Sequence, residues 1–474
     1  MRPGRGIKLA YGAGEMAKGV EDAATNLFVL FFFSQVLGLP GWVVGVVMGV
    51  ALVIDAVTDP MMGSWSDGFH HRWGRRHPFL LASALPVGLS FALVFRPPAL
   101  GMVGLALWAG GWLIAHRLAL TVFFVPHMAL GAELSSDYDE RTRIAGIRVF
   151  FTYLGAAIFV AVARGVFFKP TPGFPDGQLD PSVYPPMGAA FGVFMVVVVL
   201  LSTFGTWRTI PSLPRAPADS GAPGLRRMVA EQREAYRSRG FAVLVVSLLC
   251  FFVARGVALS LDLYVGTYFW GLGSDAVALP GAALLGILVG SPLAMLLAGR
   301  LDKRDLFVWG MAIYAVLTML PPLLHVLGLF PTGAGLKPTL LLSLFVSGIV
   351  GAAATVAAGS MLADIADAHE LATGRRQEGL FFGALSFARK ASTGAGTVLG
   401  GVFLSAIAFP TQAAPGTVDP ALVTAVGLCA GPGTAIFGIA GVWIARRYRA
   451  DRATHAAVQA ALAARARGAE LSAG

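Results

Sequence analysis

The sequence predicts an all-α membrane protein with twelve transmembrane helices in two six-helix bundles, and three observations support this fold class. Of the 474 residues, 56% are hydrophobic and only 13% are charged, whereas soluble domains have about 25% charged residues. The apolar residues form long runs, and a helix needs about 20 such residues to cross a bilayer. The basic residues recur in alternate connections between these runs. These observations exclude a soluble enzyme, a disordered chain and a protein with a single membrane anchor.

The apolar runs form two sets of six. They lie at about 12–38, 42–65, 79–96, 102–131, 145–168 and 187–208, and then at about 241–271, 277–299, 306–328, 338–363, 379–409 and 420–445. The predicted domains are an N-terminal bundle (1–208), a cytoplasmic linker (209–240), a C-terminal bundle (241–446) and a cytoplasmic tail (447–474). Two related six-helix halves joined by a long loop are an architecture that secondary transporters use.

The positions of the basic residues predict the orientation. Lys and Arg residues cluster after the even-numbered spans and in the linker, including Arg72, Arg75 and Arg76. Because cytoplasmic loops carry the excess of Lys and Arg, both termini are predicted to be cytoplasmic in a multi-pass inner (plasma) membrane protein. The net charge of +10 is explained in the same way. We therefore expect membrane lipids, and no nucleic acid, as partners.

The chain contains no sequence pattern typical of an enzyme. Cys250 and Cys429 lie in separate apolar runs, without metal-ligand spacing. A Walker-type phosphate loop and a recognisable Ser–His–Asp set are also lacking. We therefore predict a protein that is not an enzyme and has no cofactor.

Two carboxylates in the second span are the strongest candidates for a site. Asp55 and Asp59 are spaced i,i+4, so they lie one turn apart on one helix face. Two such groups at membrane depth need either a shared proton or a cation between them. The Thr58 hydroxyl adds an oxygen next to Asp59. A purely structural role at the cytoplasmic end of the span stays open.

Further charges lie within predicted spans. Span 1 carries Glu15, Lys18, Glu21 and Asp22, and the spacing lets Lys18 pair with Glu15 and Asp22. This stripe is either neutralised within the helix or part of a polar cavity wall. Lys390 lies in the middle of span 11, where it must meet an acid, an anionic substrate or water.

Several segments together resemble one family. They are Lys8-Leu-Ala-Tyr-Gly-Ala-Gly14, Asp55-Ala-Val-Thr-Asp-Pro60, Arg72-Trp-Gly-Arg-Arg-His-Pro78, Ala129-Leu-Gly-Ala-Glu133, Asp364-Ile-Ala-Asp367 and Arg376-Gln-Glu-Gly379. In this order they resemble the glycoside–pentoside–hexuronide:cation symporters, the melibiose-permease group of the major facilitator superfamily. The resemblance implies the major facilitator fold. The vertebrate lysophospholipid symporters resemble the same group.

The resemblance implies a cation site and leaves the ion open. It assigns the coupling cation, Na⁺ or H⁺, to Asp55 and Asp59, with help from Thr58 and Thr121. A metal site for Na⁺ at Asp55 and Asp59 is one of the two expectations. The family's span-11 lysine matches Lys390, close to that site.

The sugar-binding positions depart from the melibiose permease. Two acids expected there are replaced by Gly19 and Phe124, while Glu21 and Asp22 lie nearby but off register. A galactoside of the melibiose type is therefore disfavoured, because its hydroxyl contacts are missing. An arginine expected at the start of span 5 is present as Arg148, one position out of register. The residues predicted to take part in substrate binding or coupling are Lys390, Arg148, Glu21, Asp22 and Phe124.

We predict a cation-coupled secondary active symporter of a sugar or glycoside, working by alternating access. A Na⁺-dependent symporter of lysophospholipids or other amphiphiles is the first alternative, and a non-transporting membrane receptor or scaffold is the second. The partners are thus a small-molecule or lipid substrate, and the expected oligomeric state is a monomer. The predicted cytoplasmic gate consists of Asp67, Arg72, Arg75, Arg76, Asp364, Asp367, Glu370 and Arg376.

Overall fold

The structure is a computed structural model, and it describes most of the chain. The described residues are 3–135, 138–213, 239–298, 300–373, 378–448, 454–462 and 464. Most of the predicted linker and much of the tail therefore lie outside them. Residues 454–462 of the predicted tail form a helix.

The described chain is built from long helices in sequence order. In the first half they are α1 (Arg5–Ala23), α2 (Gly41–Asp67), α3 (His77–Val94), α4 (Met102–Glu133), α5 (Tyr138–Val162) and α6 (Tyr184–Thr206). In the second half they are α7 (Arg239–Tyr264), α8 (Leu279–Ala298), α9 (Lys303–Val326), α10 (Leu336–Thr373), α11 (Glu378–Ala406), α12 (Pro420–Leu428) and α13 (Thr434–Ala445). Segments of π-helix extend several of them, namely Ala24–Val29 and Phe32–Val36 after α1, Ala163–Phe167 after α5, Val265–Phe269 after α7 and Cys429–Gly433 between α12 and α13.

Local sequence signals explain where several helices begin. Pro78 occupies the first turn of α3, where a missing N–H costs no hydrogen bond. Asp302 precedes α9, and its side chain accepts a hydrogen bond from the Arg304 backbone N–H. In α2 the helix continues through Pro60, although proline cannot donate the usual backbone hydrogen bond. The second-span carboxylates thus lie just before a weakened turn.

Ten of the described helical segments are long and apolar enough to cross a membrane. Two further long helical segments, α1 with its π-helical extension and α11, carry charged residues within the helix. Many large apolar side chains on the outer faces are exposed, among them Val53, Leu85, Leu107 and Leu296. Such surfaces indicate contact with lipid rather than water. The all-helical membrane fold class is therefore confirmed, whereas the count of twelve spans stays a prediction.

The chain divides into two compact units that differ from the two halves of the sequence. One unit comprises Met1–Pro223, Leu259–Ala278 and Thr397–Val426, and the other comprises Gly224–Ala258, Leu279–Gly396 and Gly427–Gly474. The first unit thus takes in short segments from the second half of the chain. The predicted domain boundaries stay a prediction.

In the first unit, helices approach each other closely where a glycine faces the backbone of a neighbouring helix. Helix α1 packs against α5 and α6, α3 packs against α4 and α6, and α2 packs against α4. A Cβ atom at Gly19 would overlap the Thr152 carbonyl oxygen, and one at Gly155 would overlap the Met16 carbonyl oxygen. Only glycine allows the α1 and α5 backbones to approach so closely.

Polar contacts within the first unit tie residues from the first half of the chain to the two segments from the second half. The Gln35 side chain donates to the Pro410 carbonyl oxygen and accepts from the Tyr268 hydroxyl. Arg164 pairs with Asp275, and Gln178 donates to Thr267. Gln35 and Gln178 are both buried, so their hydrogen bonds fix these segments in place.

The second unit has its own hydrophobic core. Residues from α7, α9, α10, α11 and α13 contribute, including Phe241, Phe251, Met311 and Phe381. Phe241 and Phe381 pack edge to face, with ring centroids 5.0 Å apart. This core lies beside the α10 residues that carry the second group of predicted gate charges.

Candidate functional site

The two second-span carboxylates meet a hydroxyl from α4. The Thr121 Oγ1 oxygen lies 2.9 Å from Asp55 Oδ1 and 2.9 Å from Asp59 Oδ1. Asp55 and Thr121 are buried, with 5% and 4% of their surface exposed. A hydroxyl has one proton, so Thr121 can donate to only one carboxylate at a time and is an acceptor toward other groups. Three oxygen-bearing side chains thus converge at one point between α2 and α4.

This convergence can bind a hard cation or a proton. Oxygen ligands and negative charge are what small hard cations require. Two neighbouring carboxylates can alternatively share a proton, which lowers their mutual repulsion. The predicted ligands Asp55, Asp59 and Thr121 are therefore brought together. Thr58 donates its hydroxyl to the Asp55 backbone carbonyl oxygen at 3.3 Å, a bond within α2.

A guanidinium group adjoins this cluster, and the sequence reasoning assigned it no role. Arg117 Nη1 lies 3.7 Å from Asp55 Oδ2, and Arg117 Nη2 lies 3.0 Å from Glu21 Oε1. Arg117 precedes Thr121 by four residues, so both side chains lie on the same face of α4. That spacing is the signal that could have predicted Arg117 as a neighbour of the carboxylates.

Lys18 contacts two acids of span 1 and lies near an aromatic ring of α4. Its ammonium group pairs with Glu21 at 2.6 Å and also with Asp22. The same nitrogen lies 6.0 Å from the centroid of the Phe124 ring. The predicted substrate residues Glu21, Asp22 and Phe124 are thus brought together around Lys18. The Asp22 side chain is 46% exposed, whereas Glu21 is fully buried.

The expected pairing of Lys18 with Glu15 is wrong. Glu15 instead faces His127, Thr152 and Arg148, at 3.3, 3.2 and 3.8 Å from its carboxylate oxygens. Arg148, a predicted substrate residue, therefore lies beside Glu15 on the α1–α5 contact. The helical spacing allowed either partner for Glu15, and the packing of α1 on α4 and α5 decides between them.

The predicted gate residues of the first unit form a charged cluster. Arg76 pairs with Asp67, and both Arg76 and Arg75 lie 2.8 Å from Glu133. The Arg72 guanidinium stacks over the Trp73 ring at 5.1 Å. Glu133 belongs to one of the segments that resemble the symporter family, but it was not predicted to be a gate residue.

The predicted gate residues of the second unit contact other partners. Lys303 lies 2.7 Å from Asp364, and the Gln459 side chain donates to Asp367 at 2.7 Å. Burial, with Asp364 and Asp302 nearby, raises the pKa of Tyr448 to about 12, so this tyrosine stays neutral at physiological pH. Glu370 lies near the end of α10, and Arg376 lies outside the described residues. Lys390, on α11, is half-buried.

The sequence profile of one family spans nearly the whole chain. The family described as MFS/sugar transport protein matches residues 10–452. This chain belongs to the MFS/sugar transport protein family. The predicted resemblance to the glycoside–pentoside–hexuronide:cation symporters is thereby confirmed, as is the predicted class of membrane transporter.

Two named relatives and one solved structure are similar to this chain over most of their length. The putative glycoside/cation symporter YagG of Escherichia coli is 27% identical, covering 87% of this chain and 85% of the relative. The isoprimeverose transporter of Lactiplantibacillus pentosus is 23% identical, covering 84% of this chain and 80% of the relative. A D-xylose-proton symporter structure has a TM-score of 0.63 at 13% identity and covers 93% of this chain and 96% of its own. The last similarity supports the major facilitator fold.

Gly19 is predicted from the sequence to replace the span-1 acid of the melibiose-type sugar site. It packs directly on the α5 backbone at Thr152. A carboxylate at this position would need α1 and α5 to move apart. The absence of the acid is therefore built into the helix packing, not only into the residue type.

Proposed function

We propose that this chain is a cation-coupled secondary active symporter of a sugar or glycoside, working by alternating access in the inner membrane with both termini cytoplasmic. The observation that carries the proposal is the convergence of Asp55, Asp59 and Thr121. Relatives named as a glycoside/cation symporter and an isoprimeverose transporter support the solute class.

The coupling ion binds at the Asp55–Asp59–Thr121 cluster in this proposal. Na⁺ or H⁺ lowers the negative charge of the cluster and thereby favours the conformation that binds substrate. A ligand shifts a conformational equilibrium only by its difference in affinity for the two states. Asp55 is buried and Asp59 is half-buried, so their negative charge is costly when the site is empty, and the proposed difference in affinity comes from relieving that cost.

The solute binds without the melibiose-type carboxylates. Lys18, Asp22 and Phe124 provide one charged pair and one aromatic face, which suit a sugar ring and its hydroxyl groups. Arg148 and Lys390 are proposed to contribute to substrate binding or coupling. A substrate recognised in this way differs in pose from a galactoside held by two acids.

The clusters around Arg76 and Asp364 form the proposed cytoplasmic gate. Each cluster is satisfied within its own unit, by Glu133 in one case and Lys303 in the other. Alternating access requires such charge clusters to exchange partners as the two bundles move. We propose that the protein acts as a monomer.

The proposal is tested by uptake into proteoliposomes with an inward Na⁺ gradient or an inward proton gradient. The substrates are labelled pentosides, glucosides and glucuronides, with labelled lysophosphatidylcholine in a parallel arm. We expect gradient-driven accumulation of at least one sugar. Accumulation of the lysolipid alone would assign the protein to amphiphile transport, and no accumulation of any substrate under either gradient would contradict the proposal.

A further inference from the structure

A buried histidine of α4 lies among α1, α5 and α6, away from the residues assigned above to the coupling cation. His127 is fully buried, and Glu15 is 2% exposed. His127 Nε2 lies 3.0 Å from the Tyr11 carbonyl oxygen and 3.0 Å from Ser202 Oγ, whereas Nδ1 lies 3.3 Å from Glu15 Oε1. Both ring nitrogens therefore have polar partners.

The partners of Nε2 determine where its proton lies. A carbonyl oxygen only accepts hydrogen bonds, so Nε2 must carry a hydrogen that it donates to Tyr11. The Ser202 hydroxyl also donates to the same carbonyl oxygen, at 3.3 Å. Ser202 is therefore free to accept from Nε2, and all three groups are satisfied by a single tautomer.

The proton on Nε2 creates a requirement at Nδ1. In neutral imidazole with Nε2–H, Nδ1 presents a lone pair, and Glu15 Oε1 also presents lone pairs. Two acceptors facing each other at 3.3 Å in a buried site repel unless a proton lies between them. The pair therefore holds one proton, either on the imidazole or on the carboxyl group.

The surroundings accommodate either location of that proton. The imidazole lies between two aromatic faces, 4.3 Å from the Tyr11 ring and 4.8 Å from the Phe123 ring, an arrangement that stabilises an imidazolium. Glu15 receives support from the Thr152 hydroxyl and the Arg148 guanidinium, which stabilise a carboxylate. The Arg148 side chain is 30% exposed and connects Glu15 to the surface of the helix bundle.

The other titratable or charged groups near the pair are few in the described part of the chain. Helix α1 contributes Tyr11, α5 contributes Arg148, and α3 contributes His77. Helix α6 contributes the neutral Ser202. The Asp55 and Asp59 carboxylates bond to Thr121.

We propose that Glu15 and His127 form a proton-binding site that gives transport a pH dependence separate from the coupling-cation site. The site binds one proton between His127 Nδ1 and Glu15 Oε1. Loss of this proton leaves two facing acceptors and loosens the contact of α1 with α4 and α5. Helix α1 therefore packs tightly only in the protonated protein.

The decisive variant is Glu15→Gln. The glutamine amide donates permanently to Nδ1 and thus imitates the proton-loaded pair, while it removes the exchangeable proton. His116→Gln is the control, because this α4 histidine is also buried and contacts the Ser90 hydroxyl instead of a carboxylate.

The first measurement does not need a substrate. The purified full-length protein, labelled with ¹⁵N-histidine, is followed by NMR between about pH 5 and pH 8, and the His127 signals are assigned by their loss in His127→Gln. We expect the His127 Nδ1 resonance to change across this range in the wild type and in the control, because the proton beside Nδ1 is lost whichever group carries it. In Glu15→Gln, Nδ1 should stay an unprotonated acceptor throughout. An Nδ1 signal in the wild type that does not change with pH would overturn the proposal.

The second measurement is the pH profile of solute exchange, with equal pH on both sides of the membrane. The exchange rates of the wild type and the control variant should change several-fold over the same range, and the pH profile of Glu15→Gln should be nearly flat. A Glu15→Gln profile with the wild-type slope would overturn the role in transport. If no sugar is transported at all, the proposed function fails, and the NMR result still decides whether the proton site exists.

Discussion

The Arg117 guanidinium lies 3.7 Å from the Asp55 carboxylate, so a positive charge of the protein already adjoins the candidate cation site. Both carboxylates also contact the neutral Thr121 hydroxyl. Asp55 is buried, whereas Asp59 is half-buried. We propose that the more accessible Asp59 is the carboxylate that responds most to the coupling ion.

The Thr121 hydroxyl is expected to set the affinity for the coupling ion. Thr121→Val keeps the shape of the side chain and removes the oxygen that contacts both carboxylates. Hydrogen bonds to charged groups contribute about 1.5–3 kcal/mol, so half-maximal uptake should require at least about tenfold more cation. Thr121→Ser retains the hydroxyl and should stay near the wild type. Equal cation dependence in Thr121→Val and the wild type would contradict the assignment.

Arg117 is expected to stabilise the buried Glu21. Glu21 is fully buried and has Arg117 and Lys18 as counter-charges. Removing one partner of a buried ion pair costs about 3–5 kcal/mol, and Lys18 offsets part of this loss. Arg117→Gln should therefore lower the melting temperature in detergent. The double variant Arg117→Gln/Glu21→Gln should recover most of the lost melting temperature. A double variant less stable than Arg117→Gln would show that loss of the Arg117–Glu21 pair does not cause the lower melting temperature of Arg117→Gln.

The glycine at the family's sugar-acid position is expected to be required for packing. In Gly19→Ala the new methyl group would overlap the Thr152 carbonyl oxygen, and overpacking of this kind costs about 1–3 kcal/mol. The melting temperature should fall by several degrees. Gly111→Ala, at a position with open space on α4, should not lower it. Equal melting temperatures for the two variants would contradict the close α1–α5 contact.

The hydrogen bond between Gln35 and Tyr268 is expected to couple their contributions to stability. Gln35 Oε1 accepts from the Tyr268 hydroxyl at 2.9 Å, and both residues are buried. Residues in direct contact typically show coupling energies of about 0.5–3 kcal/mol in double-mutant cycles. The melting-temperature losses of Gln35→Leu and Tyr268→Phe should therefore sum to more than the loss of the double variant. Strict additivity would show that the contact does not form.

The sequence predicts much of the cation site because its signals are local. Asp55 and Asp59 share a helix face by spacing alone, and the family resemblance adds Thr121. The helices follow the apolar runs for the same reason, since a bilayer-spanning segment carries its signal within about 20 residues. Packing between helices does not change what these local signals predict.

The partners of Glu15, in contrast, cannot be predicted from local sequence signals. His127 lies 112 residues away, and helical spacing cannot tell whether Glu15 turns toward Lys18 or toward α4. Close approach of α1 to α5 at Gly19 and Gly155 selects the second arrangement. The role of Glu133 beside Arg75 and Arg76 depends likewise on packing between separate helices.

The central claim is that Asp59 couples cation binding to transport, and the most direct test compares accumulation with exchange. Wild type and Asp59→Asn are reconstituted, and each is assayed for gradient-driven uptake and for exchange of labelled against unlabelled sugar at equilibrium. Asp305→Asn, which removes an exposed carboxylate in the first turn of α9, serves as the control.

Asp59→Asn is expected to lose gradient-driven accumulation and to keep exchange, because the neutral amide imitates the cation-neutralised carboxylate. Asp305→Asn should retain both activities. Gradient-driven accumulation by Asp59→Asn at the wild-type level would contradict the account.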